Sequence, residues 1–220
     1  MAPGGVAKNA LEDGGENLAL VLQEMQFDGS LRRLTEYLTE FCKRYQDVRL
    51  RSDGSVLRAY IVEEGLNEPV PAIRLSDGTL KFLCLLTVLL KPTAPPLICI
   101  DEPELGLHPD DVRLVARAVV EASHRTQVVI TTHSEALVDE LSDQPDAVVV
   151  CEYVKGSGTK LERLSRERLD SWLDRYSLGE IWRKGEIGGN RWRARSGYTS
   201  RVIQPCAFRS AVSSRRPTCG

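Results

Sequence analysis

The stretch Leu97-Ile98-Cys99-Ile100-Asp101-Glu102-Pro103-Glu104-Leu105-Gly106-Leu107-His108-Pro109 constrains this chain more than any other. Four apolar residues, two of them β-branched, follow Pro95-Pro96 and run directly into paired carboxylates. A short apolar run behind a breaker reads as a strand buried on both faces, the usual state of a strand in a parallel sheet. Asp101 and Glu102 then fall just past its carboxyl end, where open α/β sheets place their ligands. Neighbouring side chains on an extended chain point to opposite sides, so the two acids suit different tasks. One carboxylate can hold a magnesium ion while the other orients or deprotonates a water that attacks a phosphate. Many strands end in an Asp-Glu pair with no such task, so the surrounding chain has to decide.

Downstream, Pro109-Asp110-Asp111 opens a helix with acids in its first turn, favourable against the helix dipole. Leu114, Val115, Ala118, Val119 and Ala122 form its apolar face. Gln127 to Thr131 reads as a second buried strand, ending in Thr131-Thr132-His133-Ser134. Strand, helix, strand in this span is a βαβ unit, so the two strands run parallel with a right-handed crossover. His133 is thereby expected at the same sheet edge as Asp101 and Glu102. Ser134 is placed to cap a helix reaching Leu141, and Ala147 to Cys151 reads as a third buried strand.

Upstream, Arg74-Leu75-Ser76-Asp77-Gly78-Thr79 marks a sharp change from polar to apolar sequence. Ser76 or Asp77 can cap a helix from Thr79 to Leu90, and Gly78 lets backbone N–H groups approach whatever lies in front. A hydroxyl beside a helix start can receive an anion, although a plain N-cap is the commoner use of such residues. That helix is apolar nearly all round, so it belongs inside a larger layer. Before it, Asn17–Met25 and residues 31–46 have helical spacing, the second with Leu31, Leu34, Leu38, Phe41 and Tyr45 on one face. Val48 to Glu63 reads as a hairpin turning at Ser52-Asp53-Gly54-Ser55. Residues 1–16 read as a flexible N-terminus.

Six cysteines (42, 84, 99, 151, 206 and 219) show no CxxC spacing, and Cys84, Cys99 and Cys151 lie in apolar runs. They read as buried thiols of a reducing compartment, which makes the cytoplasm the default. The apolar run Leu80–Leu90 is too short to span a bilayer, so no membrane partner is expected. The net charge of −2 is uneven: six Arg and no acid follow residue 192, which leaves the body at −8. An acidic body argues against a broad nucleic-acid surface and leaves room for a local basic patch. Residues 193–220 have no periodicity and read as a disordered basic tail.

Four motifs now stand in a telling order. Leu75-Ser76-Asp77-Gly78-Thr79, Ile100-Asp101-Glu102-Pro103, Glu104-Leu105-Gly106-Leu107-His108-Pro109 and Thr131-Thr132-His133-Ser134 resemble the signature, Walker B, D-loop and switch histidine of an ABC-type ATPase head. The Glu-Leu-Gly-Leu-His-Pro run and the Thr-Thr-His-Ser ending are most similar to the RecF/SMC-like and overcoming-lysogenization-defect branch of AAA-family ATPases. The resemblance extends over residues 17–192 and includes Leu178-Gly179-Glu180-Ile181-Trp182 and Gly185-Glu186-Ile187-Gly188-Gly189. It implies an α/β fold: a partial P-loop NTPase with a parallel sheet core flanked by helices, preceded by a helical and hairpin segment.

By that resemblance the cofactors are ATP and Mg2+. Asp101 would coordinate the metal through water, Glu102 would be the general base, and His133 would contact the γ-phosphate. Ser76 and Gly78 would reach ATP held by a second head, and the D-loop from Glu104 to His108, with Gly106 and His108 as its site residues, would couple the two sites. The usual signature is Leu-Ser-Gly-Gly-Gln, so Asp77 and Thr79 depart from it and Ser76 and Gly78 remain as its matching ligands.

One motif of that family is missing from these 220 residues: no Gly-x-x-x-x-Gly-Lys-Ser/Thr occurs. Gly156-Ser157-Gly158-Thr159-Lys160 has the wrong order. The chain therefore reads as the carboxyl-terminal part of a head, with an exposed sheet edge where the P-loop strand would pair. Its partner is then a second head or a chain that supplies the P-loop. Two functions follow from this reading. One is ATP hydrolysis in DNA maintenance, repair or phage defence; the other is a pseudo-ATPase that serves as an interaction module. A metal-dependent nuclease using Asp101, Glu102, His108 and His133 is the weaker third, because no Asp-x-Asp carboxylate set accompanies them.

Overall fold

The computed structural model describes residues 10–12, 14–154, 156–188 and 198–199. The expected flexible start lies mostly outside the described residues, as does the tail from 193 onward apart from the short strand at 198–199. Two helices, α1 (Leu18–Asp28) and α2 (Leu31–Phe41), lead into a hairpin of β1 (Tyr45–Asp53) and β2 (Val56–Glu63), with β3 (Val70–Pro71) added to β2. The hairpin register pairs Val48 with Ile61 and Leu50 with Ala59 toward the core. Asp53 faces Val56 across the two-residue loop Gly54-Ser55, and Gly54 takes φ 62°, which suits a residue without Cβ.

Tyr45 corrects the helical reading of residues 31–46. The helix stops at Phe41, Cys42 is extended, and Tyr45 already pairs with Glu63. Thr39 fixes this exit by donating its hydroxyl to the Tyr45 carbonyl at 2.9 Å. An i, i+4 apolar pattern cannot register such a break, because Tyr45 packs against the same core from a strand.

Helix α3 (Asp77–Leu90) is the centre of the main core: Phe82, Leu83, Leu86 and Leu89 are wholly buried. Each such side chain stabilises the fold by about 1.5–3 kcal/mol. Phe82 stacks on Phe41 with centroids 4.4 Å apart, which joins α3 to α2. Next come β4 (Leu97–Asp101), α4 (Pro109–Ser123) and β5 (Gln127–Thr131). The two strands are parallel, from Leu97 opposite Gln127 to Asp101 opposite Thr131, and α4 forms the crossover between them. The α/β class with a parallel sheet and flanking helices is therefore present.

Burial alternates on these strands, which corrects the expectation of two covered faces. Ile98 is buried, while Leu97 and Asp101 are exposed and so is Cys99, so the Cys99 thiol is not a core group. Among the described residues β4 has one strand neighbour, β5, and its other edge is open. Cys84 and Cys151 fit the expectation better, since burial pushes both thiols upward.

A second, smaller core forms around Val138, Leu141, Val148, Val150, Leu178 and Trp182. It joins α5 (Glu135–Asp139), β6 (Val149–Val154), α6 (Arg166–Leu173) and α7 (Leu178–Lys184), with the mostly exposed β7 (Gly158–Arg163) paired along β6. The strand expected at 147–151 starts at Val149 and is buried. It pairs antiparallel with β7, and β8 (Tyr198–Thr199) lies on its other side, so it belongs to a sheet separate from β4–β5. The Gly156–Lys160 segment spans the tight turn between β6 and β7 and the start of β7. No helix among the described residues is long and apolar enough to cross a membrane.

Candidate functional site

The parallel pairing brings the carboxyl ends of β4 and β5 together, and three of the residues singled out in the sequence meet there. The Thr131 hydroxyl donates a short hydrogen bond to Asp101 Oδ1. The Glu102 N–H donates to the Thr131 carbonyl at 3.0 Å and contacts its hydroxyl at 3.2 Å. Glu102 Oε1 then lies 3.4 Å from His133 Nε2, with both side chains partly open to solvent. Adjacent in sequence, Asp101 and Glu102 do face different partners.

Glu102 occupies φ 43°, the left-handed region, and is the one non-glycine residue there among the described residues. Such a conformation costs about 1–3 kcal/mol and persists only where the surroundings impose it. Here the Thr131 contacts hold its N–H, and its carbonyl accepts from the Leu105 N–H at 3.2 Å. The strain turns the chain sharply at the strand end and leaves Glu102 projecting toward His133.

The loop after Glu102 connects this edge to α3. Gly106, at φ 78°, makes the turn, and its carbonyl approaches Gly78 so closely that a Cβ there would lie 2.9 Å from it. Lys81 donates to the Leu105 carbonyl at 2.6 Å. Gly78 thus serves close approach to a loop of the same chain. Ser76 is the N-cap of α3: its hydroxyl accepts from the Thr79 N–H at 3.2 Å and meets the Thr79 hydroxyl at 2.8 Å. Helix α3 therefore begins at Asp77, two residues before the expected Thr79.

His108 caps α4, its Nδ1 accepting from the Asp110 N–H at 3.3 Å. The Asp110 carboxylate also lies 3.5 Å from Nδ1, but that nitrogen serves either the amide or, once protonated, the acid. The amide contact is the shorter and closes the helix cap. Both of these contacts lie within the cap and away from the Glu102–His133 pair. Among the described residues, no three His, Cys, Asp or Glu side chains are grouped to hold a metal.

A nucleotide-bound Mg2+ places a smaller demand on the protein. It keeps several waters and takes one or two carboxylates plus phosphate oxygens. Asp101 suits that role, because it is exposed at the strand end and Thr131 orients one of its two oxygens. The chemistry of the donor set fits the group.

Two more residues contribute: Thr131, which the sequence reading did not assign, and Glu104, which it placed only within the D-loop. Thr131 holds the Asp101 carboxylate and the Glu102 N–H. Glu104 reaches across to β5, where its Oε1 accepts from the Thr132 hydroxyl and the His133 N–H, each at 2.7 Å. Both residues stood within recognised motifs, but nothing in their spacing says which contacts they make.

Comparison with known proteins gives the family and the fold. Residues 12–139 match the family described as "AAA domain, putative AbiEii toxin, Type IV TA system". An SmcHead structure bound to the C-winged helix domain of ScpA superposes with a TM-score of 0.51 at 16% identity, covering 73% of this chain and 49% of that one. A structure from work on ATP-driven dimerization and DNA-stimulated activation of SMC ATPases gives a TM-score of 0.49 at 18% identity, covering 71% of this chain and 95% of that one. An Smc head with coiled coil and joint from Pyrococcus yayanosii gives 0.48 at 15% identity, covering 72% and 32%. This chain spans about half of the SmcHead chain and about a third of the Pyrococcus one. At these identities the likeness concerns the fold. No curated protein matches the chain.

Proposed function

The chain belongs to this AAA-domain ATPase family and has the fold of an SMC-type head, and on that premise we propose that it supplies the hydrolytic edge of a composite ATP site. The observation that carries the proposal is the Glu102–His133 pair, 3.4 Å apart at the carboxyl edge of a parallel strand pair beside Asp101. Phosphoryl transfer needs positioning and charge neutralisation more than covalent help, and this edge offers both.

In this reading Glu102 accepts a proton from the attacking water, and His133 donates to the γ-phosphate and responds to its loss. Asp101 is the metal ligand; Mg2+ bound there would neutralise charge on the β- and γ-phosphates. Ser76 and Gly78 face ATP held by a second head, while Gly106 and His108 relay between the two sites. The head occupies residues 17–192. The P-loop comes from residues outside these 220, whether in the same protein or in another chain.

The setting we assign is DNA maintenance or phage defence in the cytoplasm, with DNA as the polymer to test. The family description, which names a toxin–antitoxin system, favours the defence role. These finer assignments rest on the motif order.

Nucleotide binding tests the division of labour. Alone, the chain reaches only the metal and the γ-phosphate, so millimolar Mg-ATP should leave its melting temperature unchanged. A ligand at a hundred times its Kd adds about 2.7 kcal/mol of stability, which is readily seen as a shift. Assembly with a P-loop-bearing portion of a related head should bring that shift, and Asp101→Asn should reduce it. A shift in the isolated chain that Asp101→Asn abolishes would overturn the need for an outside P-loop.

A further inference from the structure

Glu104 makes a connection that neither strand pairing nor hydrolysis requires. One carboxylate oxygen takes two hydrogen bonds from the β5 end, from the Thr132 hydroxyl and the His133 N–H. The other is shut off from solvent and meets no donor among the described residues. A buried carboxylate oxygen without a donor is costly, so stability alone does not explain an acid here.

The same loop is fastened at its far side to the signature helix. Lys81 holds the Leu105 carbonyl, and the Gly106 carbonyl sits against Gly78. Between these anchors the Leu105 N–H bonds to the Glu102 carbonyl and the Leu107 N–H to the Glu104 carbonyl, so the loop is two overlapping turns.

We propose that Glu104 is a positioning residue: it ties the loop after β4 to the His133 backbone, so that the seating of Gly106 on Gly78 sets the alignment of His133 with Glu102. The link runs within one chain, from the signature to the histidine. It rests on reading Glu102 and His133 as the hydrolytic pair.

The test uses NMR of the isotope-labelled 220-residue chain without nucleotide. The reporters are the His133 amide and imidazole signals, with the Trp172 and Trp182 indole signals as controls. Gly78→Ala forces the Gly106 carbonyl away, and should move the His133 signals several-fold more than the indole signals. In a Glu104→Ala background the same Gly78→Ala change should leave His133 unmoved. Glu104→Gln keeps a carbonyl oxygen as acceptor and should restore the response.

An undiminished His133 response in the Glu104→Ala background overturns the proposal, and so does no response with Glu104 intact. If Glu104→Ala does not fold, Lys81→Met releases the loop at its other anchor. His133 must then move, and its failure to move is equally contrary. Because no nucleotide is present, a negative result leaves the hydrolytic reading standing. Conversely, an assembly that never hydrolyses ATP leaves this link intact.

Discussion

At the scale of single residues, the strained backbone at Glu102 separates what the fold wants from what the chemistry wants. Glycine adopts φ 43° freely, and its extra flexibility in the unfolded chain costs only about 0.5–1 kcal/mol. Glu102→Gly should therefore raise stability by about 0.5–2 kcal/mol in urea unfolding while removing the proposed base. Glu102→Val, β-branched at the same φ, should lower stability by at least about 1 kcal/mol. A loss of stability in the glycine variant would show that Glu102 is not strained. Asp101, Glu102 and His133 could be read as neighbours from the sequence, because a βαβ unit fixes which strand ends meet. Glu104 could not, since its partners depend on how far the loop folds back toward β5. Cys99 was misread because an apolar run does not say whether both faces of a strand are covered.

At the scale of elements, the junction of α5 and α7 shows how tightly the second core is fitted. The Gly179 N–H donates to Asp139 Oδ1 at 2.7 Å, in the first turn of α7, where an acid opposes the helix dipole favourably. A Cβ at Gly179 would lie 2.5 Å from that oxygen and 2.8 Å from the Glu135 carbonyl. In an open helix, replacing glycine by alanine would gain about 0.5–1 kcal/mol. Here Gly179→Ala should instead cost about 1–3 kcal/mol, because a backbone carbonyl cannot easily give way. Thermal melts of the variant would measure this, and an unchanged or higher Tm would count against the close packing. Ser177 and Glu180 close α7 with a reciprocal capping box, a Ser-x-x-Glu signal present in the sequence but not used in reading it. The α1 and α4 segments were legible because their apolar stripes face one core, and α3 because a helix apolar nearly all round has to be buried. The end of α2 was not, because Tyr45 reaches that core from a strand.

At the scale of the whole molecule, an ion-pair cluster joins α2 to α4 of the βαβ unit. Arg33 and Arg117 flank the Tyr37 ring at 4.8 and 5.6 Å and pair with Glu121 and Glu40, while Arg33 also holds Glu36. Hydrogen bonds from Arg33 and Arg117 hold Glu36 and Glu40, respectively, below the usual glutamate range. Burial pushes Glu121 upward, but Arg33 and Tyr37 together outweigh it. Carboxyls depressed in the folded state favour folding above the unfolded value of about 4.5 and lose that contribution as pH falls through their folded values. The Tm should therefore fall below about pH 4.5, with a shallower fall in an Arg33→Met/Arg117→Met variant. Equal slopes for the two proteins would remove the cluster from the acid response.

The proposed hydrolytic edge lies beside the β4 edge that is open among the described residues, with α3 linked to it through the loop after β4. Its direct test is steady-state phosphate release from a verified assembly of this chain with a P-loop-bearing portion, measured beside fluorescent-nucleotide binding. Glu102→Gln keeps the side-chain shape but cannot take the proton from water. It should retain binding and lower turnover by about 10²–10⁴-fold. An assembly that hydrolyses ATP at the same rate with Glu102→Gln would contradict Glu102 as the base, and one that binds ATP but never turns over would make this chain a pseudo-ATPase.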